Sequence, residues 1–334
     1  MWPSVPIAWC VWRTGGSRPD EGGVGTVKPV VRRYYLRVGS AGPAQEAFLT
    51  PLSASSTTHA PSSPDLPART KTLCGQSEDS IPARLVDVGK GRPVVFLHGL
   101  VGLNDHWEDV AKRISHRVRC VLLEIPLLQL TGDDCSIDGV EALTVGFLEQ
   151  HLAGTDQLPI LVGNSFGGHV ALRIAIDRPD LVGGLVLAGA SGLIEKTMVS
   201  DVQIRPSRDW LRRKIGELFY DPAKNMREAD LDRAHKELSD RRGARAMVKL
   251  SRSARRNHLG ARIPEITAPT LLIWGKNDIV TPPEAADQFM ANLPDARIVW
   301  LDECGHAPMM ERPAEFAEAM LGFADELQRR GAAR

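Results

Sequence analysis

Ser165 stands in Gly163-Asn164-Ser165-Phe166-Gly167, between the apolar run PILVGNS at 159–165 and the helical pattern GGHVALRIAIDRP. A serine hydroxyl is a weak nucleophile until a base takes its proton. A strand–turn–helix setting, a nucleophile elbow, lifts such a hydroxyl above the carboxyl edge of a sheet, beside the unpaired N–H groups of the new helix. His306, in Glu303-Cys304-Gly305-His306-Ala307-Pro308 after the last apolar run, is the candidate base. An imidazole held in one tautomer needs an acceptor for its other ring nitrogen. Asp278, just after TLLIWG at 270–275, can be that acceptor. Serine, aspartate and histidine in this order, each after a strand, form a catalytic triad able to work through an acyl-enzyme. Leu100, in His98-Gly99-Leu100, follows another strand. Its backbone N–H and that of Phe166 would form the oxyanion hole for a tetrahedral transition state. His98 reads as a brace for that loop, not a second base.

Those residues can meet only if their strands lie side by side. From residue 84 onward short apolar runs alternate with segments of helical spacing. ARLVDVG, PVVFLHG, VRCVLLEI, PILVGNS, LVGGLVLAGA, TLLIWG and ARIVWL read as strands. HWEDVAKRI, residues 136–152, GGHVALRIAIDRP, PPEAADQFMANL and PAEFAEAMLGFADELQRR read as helices, with Ser136 or Asp138 as N-cap of the second. This alternation specifies an α/β, mostly parallel, doubly wound sheet of about eight strands. Trp107 reads as a packing residue.

Residues 195–262 break the alternation. They are helix-like and basic, with 18 Lys or Arg against 10 Asp or Glu. They read as a helical cap inserted after the sixth strand, between core segments 81–194 and 263–334. Residues 1–80 are rich in Ser, Thr, Pro and Gly over their second half and read as a disordered N-terminal extension. VKPVVRRYYLRV at 27–38 has strand character but no evident pairing partner.

Composition excludes several classes. Lys plus Arg equals Asp plus Glu at 41 each, so net charge gives no general attraction to nucleic acid or an anionic membrane. The Arg-rich stretch at 240–256 lacks interleaved aromatics for base stacking and reads as a solvated helix face. No apolar run approaches the roughly 20 residues of a membrane span. The five cysteines, without Cys-x-x-Cys spacing, suggest neither a disulfide framework nor a zinc site. A reducing, cytoplasmic setting is expected, with no metal and no cofactor, and Cys304 reads as a packed loop thiol. GxGxxG and P-loop patterns are absent.

With HGL at 98, GNSFGG at 163, WGKNDIVTPP at 274 and GHAPMMERP at 305, residues 84–330 resemble the α/β-hydrolase superfamily. The resemblance implies the α/β-hydrolase fold, a Ser165–Asp278–His306 triad, and an ester or related carbonyl compound as substrate. Position 165 being serine disfavours the dehalogenase and epoxide-hydrolase branches, which use aspartate. The chain is also similar to the meta-cleavage-product hydrolases, which break carbon–carbon bonds, in its GNSxGG elbow and in Leu218-Phe219-Tyr220-Asp221 followed by Arg233. That similarity implies that Arg233 binds a substrate carboxylate. Ala307 stands where those enzymes carry tryptophan, and Leu100-Val101-Gly102 replaces their Gly-Pro-Gly. The expected function is a serine hydrolase acting on an ester of a small or medium acyl group. A carbon–carbon bond hydrolase is the alternative, and a non-catalytic ligand receptor on the same fold is a third reading.

Overall fold

The computed structural model describes residues 30–36, 81–195 and 206–332. Its centre is one sheet of eight strands in the order β1-β2-β4-β3-β5-β6-β7-β8. The strands are β1 Val30–Leu36, β2 Ile81–Val88, β3 Pro93–Leu97, β4 Arg119–Glu124, β5 Ile160–Asn164, β6 Gly184–Ala188, β7 Thr270–Gly275 and β8 Ala296–Leu301. Strands β3 to β8 pair in parallel, while β1 and β2 form an antiparallel edge.

Parallel strands need crossovers, and these are helical. They include α1 Glu108–Ile114, α2 Ile137–His151, α3 Phe166–Asp177 and, after four further helices described below, α8 Pro283–Asn292. After β8 come α9 Pro308–Glu311 and α10 Pro313–Ala332. Ser136 caps α2, its hydroxyl accepting the Gly139 N–H at 3.0 Å. Because helices cover both faces, the central strands are apolar throughout and not alternating. The alternation survives in what each residue touches. Val95, Leu97 and Leu161 join one core cluster with α2, α3 and α8. Val94, Phe96, Ile160 and Val162 join the opposite cluster with α1 and α10. Trp107 is fully buried in the second cluster, its ring 5.2 Å from Phe96 and 5.7 Å from Phe316, so it is a packing residue.

The reading of residues 1–80 as a disordered extension is corrected at one segment. Val30–Leu36 is β1, paired antiparallel with β2 from Val30 opposite Asp87 to Leu36 opposite Ile81. The rest of that region lies outside the described residues. Between β6 and β7 the chain forms α4 Arg208–Gly216, α5 Pro222–Asn225, α6 Glu228–Ser239 and α7 Arg241–Arg256, with no strand among the described residues of this stretch.

Candidate active site

β5 ends at Asn164 and α3 begins at Phe166, so Ser165 alone makes the turn. Its φ of 52° and ψ of −119° are rare for a residue with a side chain. The surroundings enforce this geometry. The Ser165 N–H donates to the Ala188 carbonyl at 3.2 Å, and its own carbonyl accepts from the N–H groups of His169 and Ser191, each at 3.1 Å. A Cβ at Gly167 would lie 2.3 Å from the Leu97 carbonyl oxygen, and one at Gly163 would lie 2.4 Å from that of Gly167. The motif glycines are therefore required by the close approach of β3, β5 and α3.

His306 and Asp278 meet in the loops after β8 and β7. His306 Nδ1 is 2.8 Å from Asp278 Oδ2, and both residues are buried. Backbone N–H groups of Val280 and Thr281 donate to Asp278 Oδ1 at 2.8 and 2.9 Å, and the Thr281 hydroxyl donates to Oδ2 at 2.9 Å. These donors aim the carboxylate at the imidazole. Burial alone would lower the His306 pKa. The Asp278 charge and hydrogen bond, with Glu195 and Glu311 adding to them, hold it above the ordinary histidine value. With Nδ1 engaged, Nε2 is left to accept a proton.

Two anchors bring the serine turn and the histidine loop together. The Asn164 side-chain amide donates to the carbonyls of Ala188, at 2.8 Å, and His306, at 3.0 Å. Gly189, one residue beyond that Ala188 anchor, has φ of +53°, and a Cβ there would lie 2.9 Å from both Asp278 Oδ2 and His306 Nδ1. Among the described residues the Ser165 hydroxyl is not hydrogen-bonded to His306. Such bonds commonly close only when substrate binds.

The loop after β3 is pinned from several sides. His98 Nδ1 donates to the Gly99 carbonyl at 2.8 Å, and Nε2 accepts the Ile125 N–H at 3.2 Å. Burial lowers its pKa to about 4, so the ring is neutral and acts as a brace. The Gly102 N–H closes a turn onto the Gly99 carbonyl at 2.9 Å. Arg233 reaches the same loop from α6: its Nη2 donates to the Val101 carbonyl at 2.7 Å, and Nη1 pairs with Glu237 at 3.1 Å. Its guanidinium is thus largely engaged by the protein, and only Nε is buried without a partner. Among the described residues the Leu100 and Phe166 N–H groups donate to no other backbone group.

The helical insertion also grips the histidine loop. The His306 N–H donates to the Leu218 carbonyl at 2.7 Å. Glu311, in α9, accepts the Gly305 N–H at 2.7 Å and the Tyr220 N–H at 2.8 Å. Burial pushes the Glu311 pKa up, against these amide donors. The Leu218–Asp221 stretch is therefore a strap across the loop that carries His306. Asn164, Thr281 and Glu311 were not singled out in the sequence. Asn164 and Thr281 lie inside the motifs that flag Ser165 and Asp278, which is a signal. Glu311 gives none, because its partner Tyr220 is 91 positions away. Among the described residues no three His, Cys, Asp or Glu side chains are grouped to hold a metal. No described helix is long and apolar enough to cross a membrane.

A strained serine at the end of a parallel strand, with a buried His–Asp pair at the same sheet edge, defines an α/β hydrolase. Residues 94–319 match the Alpha/beta hydrolase family, and the chain belongs to it. The chain is 28% identical over 249 residues to the pimeloyl-[acyl-carrier protein] methyl ester esterase of Nitrosomonas europaea, covering 68% of this chain and 94% of that one. It is 29% identical over 261 residues to a 2-hydroxy-6-oxononadienedioate/2-hydroxy-6-oxononatrienedioate hydrolase of Cupriavidus pinatubonensis, covering 71% and 88%. The crystal structure of an α/β hydrolase enzyme from the metagenome of lagoon sediments at Mar Chica, Morocco, superposes with a TM-score of 0.60. It is 29% identical and covers 77% of this chain and 99% of that one.

Proposed function

We infer that this chain is a serine hydrolase cleaving carboxylic esters of small or medium acyl groups. The observation that carries the reading is the buried His306–Asp278 hydrogen bond of 2.8 Å, beside a serine held in a strained turn. Ser165 attacks the ester carbonyl while His306 Nε2 takes the hydroxyl proton. Asp278 stabilises the imidazolium that results, and the Leu100 and Phe166 amides hold the oxyanion. The tetrahedral intermediate collapses, His306 returns the proton to the leaving alcohol, and an acyl-enzyme remains. Water, deprotonated by His306, then releases the acid and restores Ser165. The insertion acts as a cap, supported by its bonds to the Val101 carbonyl and the His306 N–H. The setting is cytoplasmic and reducing, supported by Cys120, Cys135 and Cys304, buried as free thiols.

The second reading keeps the same three residues for carbon–carbon bond hydrolysis of a carboxylated dienoate. It is favoured by the partnerless Arg233 Nε and by the dienoate hydrolases among the relatives. A panel of p-nitrophenyl esters from acetate to decanoate, run beside a ring-cleavage dienoate, separates the two. Ester turnover that disappears in Ser165→Ala is the expected result. Dienoate turnover without ester turnover selects the second reading. Ester turnover that survives in Ser165→Ala overturns the mechanism.

A further inference from the structure

Helix α7 carries seven Lys or Arg and no Asp or Glu among its sixteen residues. Its inner face, including Ala246, Leu250 and Ala254, packs into the core. Its outer face sets Arg241, Arg245, Lys249, Arg252 and Arg256 along a groove of about 930 Å³, whose other wall is the start of α2. The first and last of these five positions are fifteen residues apart, or about 22 Å of helix at the standard rise.

Several arginines elsewhere are matched to acids: Arg119 pairs with Asp87, Arg178 with Glu149 and Asp180, and Arg262 with Asp177 and Glu265. Among the described residues no ion pair neutralises Arg241, Arg245, Arg252 or Arg256, and Lys249 reaches only the Gly132 carbonyl. Among the described residues the one carboxylate lining the groove, Asp138, pairs with Arg173 at 2.6 Å. Like charges three and four residues apart disfavour a helix. Here Arg241, Arg245 and Lys249, and then Arg252 and Arg256, repeat that spacing with no ion pair among the described residues to relieve it.

The shape of the groove narrows the choice of anion. A compact phosphate would seek free amides at the start of α2. Two of those amides are engaged, Ile137 N–H donating to Ser253 Oγ and Gly139 N–H to Ser136 Oγ, both at 3.0 Å, and the Asp138 carboxylate stands beside them to repel an anion. Among the described residues no aromatic lines the groove to stack on nucleic-acid bases. Between the cations lie Ile137, Ala244 and Val248, an apolar floor. A second α-helix has the same pitch as α7. Acidic residues three or four positions apart on it would face the arginines in register, while apolar residues between them would rest on that floor.

We propose that this groove docks an amphipathic acidic helix, about four turns long, from a partner protein. None of the groove residues belongs to the proposed catalytic machinery, so the surface stands or falls separately from the ester chemistry. The probe is a fluorescein-labelled eighteen-residue peptide with Glu at the spacing of the arginines and Leu between them. Its binding to the full chain is read by anisotropy. Arg245→Glu/Arg252→Glu should weaken binding at least tenfold, and the milder Arg241→Gln/Lys249→Gln should weaken it less. Both should leave the melting temperature and p-nitrophenyl acetate hydrolysis as in wild type. Affinity should fall as salt rises. The proposal is overturned if the peptide does not bind, if the charge-reversed variant binds it equally, or if a scrambled peptide of the same composition binds as well. Tighter, equally variant-sensitive binding of a twenty-base-pair DNA duplex would also overturn it, in favour of nucleic acid.

Discussion

The sheet and the helical insertion bury apolar surface on different scales. β3, β5, β6 and β7 have no exposed residue, and their side chains feed two extensive clusters, one on each face. The insertion's own cluster comprises Leu211, Leu231 and Leu238 with Leu128 from the core. Its outer surface is dominated by charge. Packing therefore determines where the strands end, and so where Ser165, Asp278 and His306 emerge. The insertion is secured by α7, which packs Ala246, Leu250 and Ala254 into the core, and by polar ties, two of which land on the loops of the candidate site, at Val101 and at His306. Regions held by few apolar contacts open at lower free energy than a core. α4 and α6, whose buried side chains Leu211, Leu231 and Leu238 form the small cluster, are therefore expected to open more readily than the strands that hold Ser165, Asp278 and His306.

The sheet-edge half of this comparison is broken most severely at Asp278. Asp278→Asn keeps the shape but presents the wrong hydrogen-bonding partner to His306 Nδ1, and kcat should fall about 10⁴-fold. The pH profile of kcat/KM sharpens the same point. In the proposed mechanism His306 works as a neutral base, and Asp278 raises its pKa. Activity should fall as pH drops through a value above 6.5, and the limb should shift to lower pH in the asparagine variant.

The next test sets the two cores against each other. Trp107→Ala removes a fully buried indole from the sheet side and should lower global stability by about 3–5 kcal/mol in denaturant unfolding. Leu231→Ala removes a fully buried side chain from the insertion. Its effect should be local. Amide hydrogen exchange over 208–256 should speed up while β3 and β5 remain protected.

The smallest effect is expected at the join. Arg233→Met cuts the tie to Val101 and should lower kcat on esters about tenfold, through a loosened oxyanion loop, with little change in KM. A large rise in KM for carboxylated substrates alone would instead mark Arg233 as a substrate ligand.

Much of this architecture was legible because its signals are local. Seven strands and the crossover helices announce themselves through runs and spacings of five to twenty residues. Ser165, Asp278 and His306 each sit one turn beyond such a run. The unread features join residues distant in sequence. Nothing near Arg233 points to a carbonyl 132 positions away. β1 reads as a strand, but its pairing with β2 spans residues 37–80, whose composition sets no register. The role of Leu218–Asp221 as a strap was likewise hidden, because its contacts are backbone groups and backbone groups carry no sequence signature.

β1 also decides what the sheet presents to its surroundings. With Val30–Leu36 in place, the backbone of β2 is paired on both sides, to β1 and to β4. In any form of the chain that begins after residue 36, by proteolysis or by a later translation start, one flank of β2 becomes an open row of amides and carbonyls. Such a row is a template for another chain's strand. Val30–Leu36 thus decides which strand forms that open edge of the sheet, β1 when the segment is in place and β2 when it is not, although the nearest residue of the candidate triad is more than a hundred positions away in sequence.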